Sequence, residues 1–122
     1  MKSMRRCSHW RVADPGAIYV GRGRDPRTGQ PVGFPWGNPY SLTDYPVEEV
    51  VNGYLGHLGR RPDIVEQARL VFATSDACCW CPVPPGPCHG QVLVALGAGL
   101  SLEVAGRLWV ARRLPGMQPE LF

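Results

Sequence analysis

Four of the five cysteines, Cys78, Cys79, Cys81 and Cys88, fall within an eleven-residue stretch, and His89 follows directly. Thiolates and imidazoles can hold a metal ion, and a thiolate beside a base can act as a nucleophile. In a reducing compartment such a cluster reads as a metal site or a reactive-thiol site. If Ala77–Cys81 is a strand, its side chains alternate. Cys79 and Cys81 then share one face, and Cys78 and Trp80 share the other. With Cys88 and His89 at the start of the next helix, Cys79, Cys81, Cys88 and His89 form a candidate zinc set. Cys-x-Cys followed by adjacent Cys-His nevertheless departs from the usual paired knuckles, and neighbours on a helix point about 100° apart. The second reading makes Cys88, with His89 beside it and Cys79 opposite, a nucleophile, the wall of an anion site, or both, because a helix N-terminus favours a thiolate or another anion. In the third, the thiols are small buried hydrophobes and His89 serves the loop.

A second group of candidate residues lies upstream. Arg22 sits between Gly21 and Gly23 at the end of an apolar run. There a planar guanidinium can grip phosphate or carboxylate. Trp36-Gly37-Asn38-Pro39-Tyr40 offers two aromatics around an amide able to read a base edge. The competing reading is that Trp36 and Tyr40 pin a long loop while Asn38 makes a local turn bond. At the C-terminus, Gln118, Leu121 and Phe122 resemble the short peptide by which bacterial replication and repair proteins dock on the sliding clamp, with Pro119 in place of the usual leucine.

These residues must be held by one small domain. A chain of 122 residues with 44% hydrophobic content has room for a single core. A formal charge of +3 is too mild to mark a nucleic-acid binder by itself. Fifteen glycines and thirteen prolines require extensive irregular backbone. No apolar run approaches the roughly 18 residues of a membrane span, and no apolar segment follows the basic N-terminus. The expected setting is cytoplasmic, with no membrane partner.

Trp10–Ala13 and Ala17–Val20, separated by the turn residues Asp14-Pro15-Gly16, read as an N-terminal hairpin, and the residues up to Arg6 as a frayed end. Asp25 to Tyr45 is a long loop. Pro46 starts a helix whose apolar residues recur from Val47 to Leu58 and which stops at Gly59. Pro62 opens a second helix. After the strand Ala77–Cys81 and a proline loop, helices are expected over Cys88–Leu96 and Leu102–Arg113. The fold expected is a single α/β domain over residues 1–114. It has a hairpin and one further short strand in a small sheet, about four packing helices, and a flexible tail over 115–122.

Taken together, Tyr19-Val20-Gly21-Arg22, Trp36-Gly37-Asn38-Pro39-Tyr40, Cys79-Trp80-Cys81 and Cys88-His89-Gly90 resemble domain of unknown function 4326, a family met in bacteria and bacteriophages. The resemblance runs from about Ile18 to Leu96. The stretches between Arg22 and Trp36 and between Cys81 and Cys88 are longer than in typical members, and Gln91 stands where members often carry an acidic residue. The resemblance implies a small α/β domain in which the motifs meet at one site, built from Arg22, Trp36, Asn38, Cys79, Cys81, Cys88 and His89. It brings no reaction with it. The leading expectation is a nucleotide- or nucleoside-handling protein, a candidate enzyme of phage or bacterial nucleic-acid metabolism. In it Arg22, Trp36, Gly37, Asn38, Cys79 and Trp80 contact the ligand, and Cys88 and His89 do the chemistry. The alternative is a non-catalytic, zinc-stabilised binding module recruited to the sliding clamp by its tail.

Overall fold

A computed structural model describes residues 2–40, 44–80, 88–111 and 113–114. Cys81, the proline loop and the C-terminal peptide with Gln118, Leu121 and Phe122 lie outside the described residues. Three short strands, β1 (Met4–Arg6), β2 (Ala17–Tyr19) and β3 (Asp76–Cys79), form a parallel sheet in the order β1-β3-β2. Met4 pairs with Ala77 across one edge, and Ala17 with Asp76 across the other. Four helices complete the small α/β domain: α1 (Val47–Gly59), α2 (Pro62–Val71), α3 (His89–Gly97) and α4 (Leu102–Val110). None of the described helices is long and apolar enough to cross a membrane.

The hairpin does not form. The Asp14 carboxylate accepts hydrogen bonds from the Ser8 N–H at 3.0 and 3.1 Å and from the Ser8 hydroxyl at 3.1 Å. With Arg11 at φ 56°, these bonds curl residues 8–14 into a tight turn, so Trp10–Ala13 cannot extend as a strand. The Asp14-Pro15-Gly16 turn is present, closed by Ala17 N–H to the Asp14 carbonyl at 3.1 Å with Gly16 at φ 77°. It leads into β2 from a loop and not from a partner strand. The strand on the far side of β3 is instead β1, built from the basic residues expected to fray. Asp76 fastens it, accepting from the Ser3 N–H at 2.8 Å and lying 3.8 Å from the Arg5 guanidinium.

The helices follow their local signals closely. Pro46 precedes α1, Glu48 and Glu49 occupy its positive first turn, and Val51, Tyr54 and Leu58 turn inward. Pro62 opens α2 where its missing N–H costs nothing, and Ile64 and Ala68 face the core. Ser101 caps α4 by accepting from the Val104 N–H at 3.2 Å, and this helix ends at Val110, short of the expected Arg113. The central helix is α3, with every residue from Gly90 to Leu96 buried. A side chain at Gly97 would collide with the backbone of Phe72, so glycine there is what lets α3 close on the end of α2.

The sheet has two unequal faces. Ile18, Val20, Ala77 and Cys79 join the main core beneath the helices. Tyr19 and Cys78 point the other way and, with Cys7, form a separate small cluster flanked by Ala17, Val32 and Trp80. The alternation expected along β3 is therefore present: Cys78 and Trp80 on one side, Cys79 on the other.

Candidate functional site

The site lies at the C-terminal ends of β2 and β3, where the N-terminus of α3 meets them. Beyond β2 the chain passes through Val20 to Gly21-Arg22-Gly23, and beyond β3 through Trp80. Cys88 is the N-cap of α3. Its N–H donates to Gln91 Oε1 at 2.9 Å, while its side chain faces the Gln91 N–H in a capping box. Gln91 is buried and serves this cap, a task a glutamate carboxylate would also perform.

Arg22, Asn38, Cys79, Trp80, Cys88 and His89 line one cleft of about 580 Å³. Segments widely separated in sequence thus converge. Arg11, Tyr19, Tyr40 and Trp109 contribute to the same wall, and no Asp or Glu lines it among the described residues. Arg22 is exposed and makes no hydrogen bond or ion pair within the described residues. The cleft is consequently cationic, with a guanidinium free to take an anion.

His89 is fixed from two sides. Its Nε2 donates a short hydrogen bond to the Val20 carbonyl, and its ring stands edge-on to Tyr54 with centroids 4.9 Å apart. A carbonyl only accepts, so Nε2 carries the proton and neutral His89 presents an unprotonated Nδ1. That nitrogen lies 4.0 Å from Cys88 Sγ. Burial holds the His89 pKa below the usual imidazole range. The Val20 carbonyl and Cys79 oppose this shift, and nearby Arg22 reinforces it. Tyr54 is itself sealed: its hydroxyl donates to the Trp36 carbonyl at 2.8 Å, and burial, helped by Cys88, raises its pKa.

Not every expected residue faces the cleft. Trp36 is a core residue, 4% exposed, packed edge-on against Phe72 at 5.0 Å, and it does not line this cleft. Asn38 lines it, but its amide is engaged within the protein: Oδ1 accepts from the Tyr40 N–H at 2.9 Å and Nδ2 donates to the Val50 carbonyl at 3.2 Å. Gly37 acts by lacking a side chain, since a Cβ there would lie 2.8 Å from Arg22 Cγ and 3.0 Å from the Gly21 carbonyl oxygen. The Trp-Gly-Asn segment is thus the buttress of Arg22. Gly21 is similarly confined, because a Cβ would meet the Tyr19 ring folded over it.

Among the described residues, no group of three or more His, Cys, Asp and Glu side chains is arranged to hold a metal ion. Cys81, the fourth member of the zinc set, lies outside them. The sequence reading missed Arg11, Tyr19 and Trp109. Arg11 falls in a segment whose residues read as a hairpin strand, and the other two carry only the signature of strand and helix interiors. The Trp109 Nε1–H is buried and has no acceptor among the described residues.

A family model described as Domain of unknown function (DUF4326) matches residues 3–98. The matched segment begins just before β1 and ends just after α3, leaving α4 and Trp109 beyond it. No curated protein and no solved structure gives a significant match.

Proposed function

We propose that this chain, which belongs to the domain of unknown function 4326 family, is a nucleotide-handling domain whose ligand occupies the cleft between Arg22, Trp80 and the start of α3. The observation that carries this reading is the unpaired Arg22 guanidinium in a cleft that has no acidic lining among the described residues and has Tyr19, Tyr40 and Trp80 around it. An anion joined to a flat ring system fits both properties: a phosphate for Arg22, assisted by the positive end of α3, and a base for the aromatic walls.

Cys88 and His89 give the cleft its chemistry. At rest the His89 imidazole is neutral, because burial disfavours the charged ring. Transfer of the Cys88 proton to His89 Nδ1 leaves a thiolate and an imidazolium. The Val20 carbonyl continues to accept from Nε2–H throughout. The 4.0 Å separation is at the long end for such a transfer and would shorten as the pair engages a substrate.

Titration of the ¹⁵N-labelled protein with nucleoside 5′-monophosphates, matching nucleosides and inorganic phosphate tests the reading. Monophosphates should bind more tightly than either fragment and shift the resonances of Arg22, Trp80 and His89. Absence of any shift at these residues up to millimolar concentrations would overturn it.

A further inference from the structure

The cleft does not end at Arg22. A second groove of about 340 Å³ shares Gly21, Arg22 and Gly23 with it and continues over Phe34, Pro35 and Arg61. The groove has no acidic lining among the described residues. Phe34 stands at its rim with 86% of its surface exposed, the highest value among the exposed large hydrophobic residues described. A solvated aromatic ring of this kind has no packing role in the core. Pro31, Pro35 and Pro39 give the groove stiff apolar walls.

We propose that the ligand class is single-stranded nucleic acid, held across both cavities with a phosphate at their junction on Arg22 and a second base on Phe34. This rests on the nucleotide reading of the first cleft and extends it from a mononucleotide to at least two linked residues. Three features converge on it: an unpaired guanidinium shared by the two cavities, a further arginine lining each of them (Arg11 and Arg61), and an exposed aromatic beyond the shared residue. Base-on-aromatic stacking beside a basic track is how proteins hold single strands without reading sequence. Arg61 lies 2.9 Å from Asp63, but both side chains are substantially exposed, so a phosphodiester can compete for it. A duplex does not fit this arrangement, because its bases are already stacked on one another and cannot be laid on Phe34.

Calorimetric titration with the four deoxynucleoside 5′-monophosphates and their 5′-phosphorylated homodinucleotides tests the proposal, with Phe34→Ala alongside the unsubstituted protein. At least one dinucleotide should bind about five- to 150-fold more tightly than its monophosphate. Phe34→Ala should erase that gain while leaving monophosphate binding unchanged. A ring so exposed can be removed without disturbing the fold, which a thermal melt of the variant verifies. Equal affinities for monophosphate and dinucleotide, or a gain that survives Phe34→Ala, would overturn the extension while leaving the first cleft's reading intact. Failure of every monophosphate and dinucleotide to bind would overturn both.

Discussion

Two pairs of cysteines lie on opposite sides of β3, and their surroundings make them different groups. Cys7 and Cys78 sit behind the sheet with Tyr19, in a small apolar cluster covered by Ala17, Val32 and Trp80. Burial first, then contact with Cys78, and further the nearby Asp14 carboxylate push the Cys7 thiol pKa far up, so no thiolate is on hand. Cys79 and Cys88 face the helices. They are nearly as inaccessible as the first pair, with exposures of 6% and 3% against 3% for Cys7 and 0% for Cys78. Exposure therefore does not separate the pairs. What separates them is an adjoining cleft, a helix N-terminus and an imidazole nitrogen fixed toward Cys88 by the Val20 carbonyl. A thiol becomes a candidate nucleophile through what it borders, and the same residue type on the other side of the sheet is packing.

One substitution made on each side should break this symmetry. Cys78→Ser buries a hydroxyl in a cluster with few acceptors and should cost about 1–3 kcal/mol of stability. Cys88→Ser places a preferred capping residue at the N-cap of α3 and should stay within about 0.5 kcal/mol of the unsubstituted protein. Ligand binding should survive the first change once the protein is folded, whereas any thiol-dependent reaction should vanish with the second. Urea denaturation of both variants decides the matter. Equal losses of stability would mean that the two cysteines play the same structural part.

The sequence revealed one side of this contrast better than the other. Proline and glycine punctuation together with the spacing of Val51, Tyr54 and Leu58 was enough for α1, and Pro62 was enough for α2, because helix signals are local. The sheet was not local. Met4–Arg6 is a strand only because β3, more than seventy residues later, supplies its hydrogen-bond partners and Asp76 supplies its anchors. Nothing in Met-Arg-Arg itself announces that. The cleft was legible in part, since Arg22, Cys79, Trp80, Cys88 and His89 do meet there. Trp36 was misassigned because a tryptophan beside Gly-Asn-Pro looks the same whether its ring faces a ligand or Phe72. Arg11 was hidden by the turn that Ser8 and Asp14 impose. Trp109 was hidden because one residue can serve both a helix's buried face and a cavity wall.

The contrast can be sharpened from the ligand side. Arg22 belongs to the cleft and to nothing in the Cys7–Cys78 cluster. Arg22→Gln should weaken nucleoside monophosphate binding about tenfold, the loss of a charge-assisted hydrogen bond, with no change in melting temperature. It should leave nucleoside binding nearly as before. A comparable change at Arg6, whose guanidinium lies 4.6 Å from the Trp80 ring on the other side, should alter phosphate binding little. If Arg6→Gln and Arg22→Gln weakened monophosphate binding equally, the anion site would be a diffuse surface charge and not the cleft.

The smallest effect concerns protons, and its sign follows from His89. Its folded pKa lies below the ordinary value of 6.5, chiefly because burial penalises the charged ring. Between that depressed value and about 6.5 the unfolded chain binds a proton that the folded protein refuses, so the unfolded state gains as pH falls. Stability should therefore be flat in His89's contribution above about pH 7. It should decline as pH drops through 6.5, by at most about 1.4 kcal/mol per pH unit, and level off below the folded pKa. Among the described residues no carboxylate lines the cleft to compensate, and Cys79, Cys88, Arg22 and Tyr54 adjoin the ring. His57, also lowered by burial and by Arg61 and Arg60, adds a weaker slope of the same sign. His89→Gln keeps a donor for the Val20 carbonyl but cannot protonate, so it should flatten most of the decline between pH 7 and 5.5. His57→Gln should flatten little of it, and Cys7→Ala none. Denaturant melts at three pH values measure all of these variants. An undiminished slope in His89→Gln would mean that the ring is hydrated and protonates freely, and the contrast between Cys88 and Cys7 would lose its buried imidazole.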